Sequence, residues 1–229
     1  MRTYALCSIV IAAAAAGCAA QEPGSAGGAS DATETAAVAV PAYSVDASWP
    51  KLPLRNKWLI QGVPVMVTDH NDHIWVVSRP RDITPDENGA ASTPPRTDCC
   101  VAAPAILEFD PEGNLLNAWG GPGYHPDWPA PGIVRPGPAS EHAIAVDREG
   151  NVWLSGQNAG DGLQKFTSDG RFLWDFGHRG PRPMPGQPPP PVVEDNQQTD
   201  VFPRGISQFT LDEDARELYI AQWKRILVY

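Results

Sequence analysis

The chain has 229 residues, enough for one domain with a sizeable core, and a formal charge of −10 from 17 Lys and Arg against 27 Asp and Glu. A face that binds nucleic acid or an anionic membrane needs clustered Lys and Arg, and no such cluster occurs, so both partners are excluded. The acidity otherwise implies no more than solubility.

The first element is an export signal. Arg2 supplies a short positive region and residues 5–16 an apolar one, ending in Ala15, Ala16, Gly17 and Cys18. That run is too short for a permanent membrane span, and small residues precede the cysteine as a cleavage site requires. Residues 15–18 resemble the bacterial lipobox, whose cysteine becomes the lipid-modified first residue of the mature protein. Ala15 stands where that pattern usually has Leu, so an ordinary cleaved signal is the alternative reading. The resemblance implies a signal peptide over 1–17, a lipid anchor on Cys18 and, with Ala19 following, an outer-membrane lipoprotein on the periplasmic side. Such a protein meets the membrane through its N-terminal lipid alone.

Residues 18–44 are rich in Ala, Gly, Ser, Thr, Asp and Glu, with Tyr43 as the one aromatic residue. They carry no hydrophobic periodicity and cannot bury enough surface to order themselves, which predicts a stalk. All eight tryptophans fall in the 45–229 segment.

That segment is repetitive. Residues 105–120 match 162–177 at a constant offset of 57, aligning Phe109 with Phe166, Gly113 with Gly170 and Gly120 with Gly177. Upstream of each copy lies a second pattern, 67–77 and 145–155, and a third copy, 210–220, has one residue more in its turn. Each unit reads as four short strands in two tight hairpins, with Asp, Asn and Gly at the turn positions that need positive φ. In the second unit the strands are expected to end near Asp147 and to run over 151–155, 163–167 and 171–176. Phe172, Trp174 and Phe176 are expected on one face by period-two alternation. Four-stranded repeats build propeller blades. An unrelated β-sandwich is the competing all-β solution.

Residues 141–156 followed by 164–173 resemble an NHL repeat, a family of usually six-bladed β-propellers. The resemblance covers most of 58–229 and implies an all-β NHL propeller with about two complete blades and part of a third. Residues 225–229 stand where the third strand of the third blade belongs. A ring needs at least four blades, so the sequence reads as a fragment of a larger propeller, short of it by roughly 150 residues.

The links between hairpins differ in length. The tight turns recur in every copy, whereas links near 79–104, 121–141 and 178–205 are long, and alternating strand direction sends all three to one end. Long loops gathered at one end either bind something or cover the sheet ends. Arg79, Tyr124, Trp128 and His142 are the candidates on that ligand face. Cys99 and Cys100, in the first insertion, are the thiols left to the mature chain once Cys7 is cleaved and Cys18 lipidated. They can pair with each other, with another chain or with a metal, and a structural vicinal disulfide is the favoured reading in an oxidising compartment.

Among the histidines, His70 and His73 read as solvated turn residues at the opposite end, and His125 and His178 as surface residues. His142 opens the innermost strand of the second blade near the central channel. The NHL class includes peptidyl-α-hydroxyglycine amidating lyase, whose metal is held by histidines from different blades. That resemblance implies a zinc or calcium ion at His142 with partners from further blades. Two functions therefore stand: a module binding an unidentified small molecule or protein, or a metal-dependent lyase.

Overall fold

The computed structural model describes residues 41–125, 128, 141–157, 161–177, 202, 205–222 and 224–229. Chain contacts divide the molecule into Met1–Ser44 and Val45–Tyr229. Of the first unit, residues 41–44 are exposed and form no regular structure. Cys18, the leader, His178 and the proline-rich stretch 181–191 lie outside the described residues. No helix among the described residues is long and apolar enough to cross a membrane.

Among the described residues, the second unit is all-β apart from three single turns of 3-10 helix, at Arg55–Lys57, Pro80–Asp82 and Gly89–Ala91. A short strand β1 (Trp58–Leu59) precedes the first blade, which contains β2 (Met66–Thr68) and β3 (Ile74–Val77). The insertion that follows carries β4 (Val101–Ala102), and the blade closes with β5 (Ile106–Phe109) and β6 (Leu115–Trp119). The second blade is β7 (Glu141–Val146), β8 (Val152–Gly156), β9 (Leu163–Phe166) and β10 (Phe172–Phe176). Strands β11 (Gln208–Asp212), β12 (Glu217–Gln222) and β13 (Arg225–Val228) complete the described set.

Spatial order follows chain order in each sheet, β2-β3-β5-β6, β7-β8-β9-β10 and β11-β12-β13, and every neighbouring pair is antiparallel. Four-stranded antiparallel meanders packed face to face in series are propeller blades, so the fold is an incomplete β-propeller of two blades and part of a third. β1 and β4 form a separate parallel pair, in which Trp58 faces Val101.

The turns explain why the strands start and stop where they do. Asp147 Oδ1 accepts the backbone N–H groups of Glu149 and Asn151 at 3.1 and 2.8 Å. Asp69 Oδ1 does the same for Asn71 and His73. These side chains hold the chain reversal while the next residue takes positive φ. Gly150 fills that place at φ +81, but Asp72 occupies it in the first blade at φ +62 and Arg216 in the third at +59.

Three apolar layers hold the sheets together. Trp75, Val77, Ile106 and Trp119 of the first blade pack against Ile144, Val152, Leu154 and Phe166 of the second. Ala143 and Leu163, with Trp153 and Phe176 at the margin, pack against Phe202, Ile206, Phe209, Ile220 and Leu227. The other face of the first blade, with Val76, Leu107 and Phe109, is covered by Trp49, Leu54, Trp58 and Ile60 from the segment before it. The far face of the third sheet is open, with Ile226 70% and Val228 54% exposed.

One expectation about β10 is corrected. The register slips between Phe172 and Trp174, a bulge that adds a residue and reverses which side follows. Phe172 therefore packs toward the first blade, beside Phe166 and stacked on His125. Trp174 meets Trp153 edge-on, and Phe176 meets Phe202 on the third-blade side.

Gly120 and Gly177 end β6 and β10 at φ +83 and +99. A ring from the following insertion lies where each glycine's side chain would be, Trp128 on Gly120 and Phe202 on Gly177. Gly123, at φ +82, meets nothing within 4 Å among the described residues. Gly120→Ala is expected to cost about 1–3 kcal/mol by collision with the indole, beyond whatever Gly123→Ala costs through backbone strain alone. Urea unfolding of both variants checks this; equal losses would remove the packing explanation.

Candidate functional site

At the long-loop end, the exit from β3 and the start of β7 meet. Ser78 and Arg79 follow β3 directly, and Arg79 is held by its backbone N–H donating to Gln61 at 2.7 Å. Across the blade boundary, the register of β7 slips between Glu141 and Ala143, so His142 sits in a bulge. Bulges re-aim side chains, and here the imidazole turns toward Arg79. Arg79 Nε donates to the Glu141 carbonyl at 2.9 Å, and its Nη2 lies 3.1 Å from His142 Nδ1.

Guanidinium has no acceptor and stays charged, so the short contact requires Nδ1 to accept. His142 is thus the neutral tautomer with its proton on Nε2. Burial, then the Arg79 charge, lower its pKa from the ordinary value, in keeping with the neutral form.

The Glu141 side chain points the other way and is fully buried. Its Oε1 accepts the Trp128 indole N–H at 2.7 Å and Arg81 Nη1 at 3.1 Å. Oε2 has no hydrogen-bond partner among the described residues. Burial raises the carboxyl above its ordinary pKa, against the lowering pull of Trp128, Arg81 and Arg79. Two arginines from one blade therefore clamp one residue of the next, one on its backbone and the other on its carboxylate.

The predicted ligand-face residues are placed unequally. Arg79 and His142 touch. Trp128 is buried, edge-on to Trp119 and Tyr124 and against Phe166, and its N–H is consumed by Glu141. It anchors the second insertion across Gly120 and offers no face to a ligand. Tyr124 stays 46% exposed while its hydroxyl donates to Gly170 O at 3.0 Å, tying the insertion to the second blade. Its pKa is raised by burial and then by the charge of Asp169.

Cys99 and Cys100 are joined to each other just before β4. The Cys100 backbone bonds Glu87 O and the Ala90 N–H, which fastens the pair to the 3-10 turn of the same insertion.

Glu141 and Arg81 were not among the sequence candidates. A charged residue at the first position of a strand reads as a solvated end, and nothing local announces its burial. His73 also departs from expectation. It is half-buried, with Nδ1 2.8 Å from Glu108 Oε1, because Glu108 on β5 lies beside the turn.

No protein-family model and no curated protein matches the chain. Among solved structures, it is similar to the extracellular domain of a hybrid two component system from B. thetaiotaomicron. The identity there is 14% and the TM-score 0.32, over 74% of this chain and 20% of that one. It is also similar to a gluconolactonase from Xanthomonas campestris, at 16% identity and a TM-score of 0.27, over 71% of this chain and 55% of that one. The chain thus spans about a fifth and about half of the lengths of these two proteins.

Proposed function

We infer that the chain is an exported, lipid-anchored propeller of the NHL type that binds a ligand or protein partner at its long-loop end. The observation that favours this over a catalytic reading is the polarity of the Arg79–His142 bond. A metal-ligating histidine uses one nitrogen's lone pair on the metal and donates its other N–H to an acceptor. In His142 the lone pair of Nδ1 faces a guanidinium donor, which leaves a proton on Nε2. Zinc or calcium chemistry of the amidating-lyase type at His142 would require this bond to break.

The rim we propose is Arg79 and His142, with Trp128 beneath as support; the exposed part of Tyr124, whose hydroxyl reaches Gly170 O in the tight turn of the second blade, marks its outer limit. A Cys99–Cys100 disulfide stiffens the neighbouring insertion, and the lipid on Cys18 holds the domain at the periplasmic side of the outer membrane.

A photo-crosslinking phenylalanine analogue introduced in living cells at Tyr124, and separately at Asp72 in the opposite turn, tests the reading. A defined adduct is expected from position 124, absent at 72 and lost when Arg79→Ala is added. No adduct at 124, or one that ignores Arg79, would sink the proposal.

A further inference from the structure

The tight-turn end carries a group of residues that the long-loop reading does not use. Asp147 Oδ2 in the second blade accepts the Trp153 indole N–H at 2.9 Å and is neutralised by Lys165 Nζ at 2.8 Å. Lys165 stands opposite Trp153 in the sheet register, with its ammonium 4.7 Å from the centre of that ring. Burial would raise the Asp147 pKa, but Lys165, Trp153 and Asn151 together hold it below the ordinary value.

The first blade repeats this arrangement without the lysine. Asp69 Oδ2 accepts the Trp75 indole N–H at 3.0 Å. Glu108 stands opposite Trp75, in the place that Lys165 takes opposite Trp153. His73 takes the place of Asn151. A carboxylate thus replaces the ammonium, and two poorly exposed acids converge where the second blade sets a lysine between the buried Asp147 and the exposed Glu149.

The geometry is compact. His73 Nδ1 lies 2.8 Å from Glu108 Oε1 and 4.0 Å from Asp69 Oδ2, and the three atoms fall within 4.8 Å of one another. The side chains of Asp69 and Glu108 are 4% and 13% exposed, and that of His73 29%. Two poorly solvated carboxylates need a positive partner, and an imidazole nitrogen 2.8 Å from one of them needs a proton or a metal ion between.

We propose that Asp69, His73 and Glu108 form a binding site for a divalent metal ion of the zinc class, which fills the position that Lys165 fills in the second blade. One imidazole and two carboxylates are donors that zinc accepts at about 2.0–2.2 Å. A tetrahedral set at that length puts neighbouring ligand atoms about 3.3 Å apart, between the two spacings seen here. The partial exposure of His73 leaves a side for water as fourth ligand. Bound metal would tie the β2–β3 turn to β5, fixing the corner of the first blade.

The test uses the untagged full chain, stripped with EDTA and kept without reductant so that Cys99 and Cys100 stay paired. Zinc sulfate is titrated calorimetrically and the melting temperature followed. One zinc per chain and a rise in melting temperature that EDTA reverses are expected. The double variant His73→Asn with Glu108→Lys installs the second blade's residues and should fold as that blade does. It should weaken zinc binding beyond the roughly 10–100-fold that loss of an outer-shell partner costs. Glu108→Gln, which keeps shape and removes a ligand, gives the same reading if the double variant fails to fold. His142→Ala should bind as the parent does. A parent chain indifferent to zinc, or folded variants that bind as tightly as the parent, would overturn the site.

Discussion

Replacing Phe166 with alanine is expected to destabilise the chain by about 3–5 kcal/mol, the range for truncating a fully buried ring that its surroundings cannot close over. Phe166 is completely buried, and its ring centroid lies 5.2 Å from that of Trp119, 5.7 Å from Trp128 and 5.7 Å from Phe172. Those three rings come from the last strand of the first blade, the insertion after it and the last strand of the second. Removing Phe166 therefore opens the layer between two blades, where neighbouring rings are too large to move into the void. Leu227, at the margin of the other layer and on the last strand, should cost less on truncation because solvent and chain can relax around it. Urea unfolding of Phe166→Ala and Leu227→Ala gives the comparison. A loss below about 1 kcal/mol for Phe166→Ala would mean that the blades do not depend on this layer.

How far the sequence announced this architecture depends on where each structural cause lies in the chain. The strands of both full blades were legible, because each hairpin's chemistry is local: an Asp that bonds its own turn, a residue at positive φ, and apolar alternation on both sides. Bulges were not legible. One extra residue at His142 or between Phe172 and Trp174 leaves the composition unchanged and reverses the side that later residues face.

Partners distant in sequence were hidden for a similar reason. Glu141 meets Arg81 across a blade boundary, and His73 meets Glu108 across an insertion, so neither contact has a periodicity to betray it. Trp128 misled because an aromatic residue in a proline-rich loop reads equally as binder or cover. Its burial against Gly120 is a packing contact that no local pattern announces. The parallel pair β1 and β4 has two residues per strand, too short to leave a pattern.

The second large effect concerns the clamp on Glu141. Arg81→Met is expected to cost about 3–5 kcal/mol near neutral pH, since it leaves a buried carboxylate without its ionic partner. Arg81 is itself 21% exposed, and Glu141 not at all, so the penalty arises on the glutamate side. Glu141→Gln should cost far less, within about 1 kcal/mol, because the carboxamide oxygen can still accept from Trp128 and no charge is buried.

The pH dependence has a definite sign. Folding raises the Glu141 pKa above its ordinary value of 4.5, so the folded state holds this proton more tightly than the unfolded chain does. Its contribution is fully present below 4.5 and is lost as pH rises through the raised value. Arg81→Met should steepen that loss, and Glu141→Gln should abolish it. The double variant Arg81→Met with Glu141→Gln should recover most of what Arg81→Met loses, since the orphaned charge is gone. Denaturant midpoints for the four proteins at pH 4 and pH 7.5 complete the cycle. If the double variant instead loses the sum of the two single changes, the arginine stabilises the fold by some route other than Glu141, and the clamp between blades is not electrostatic.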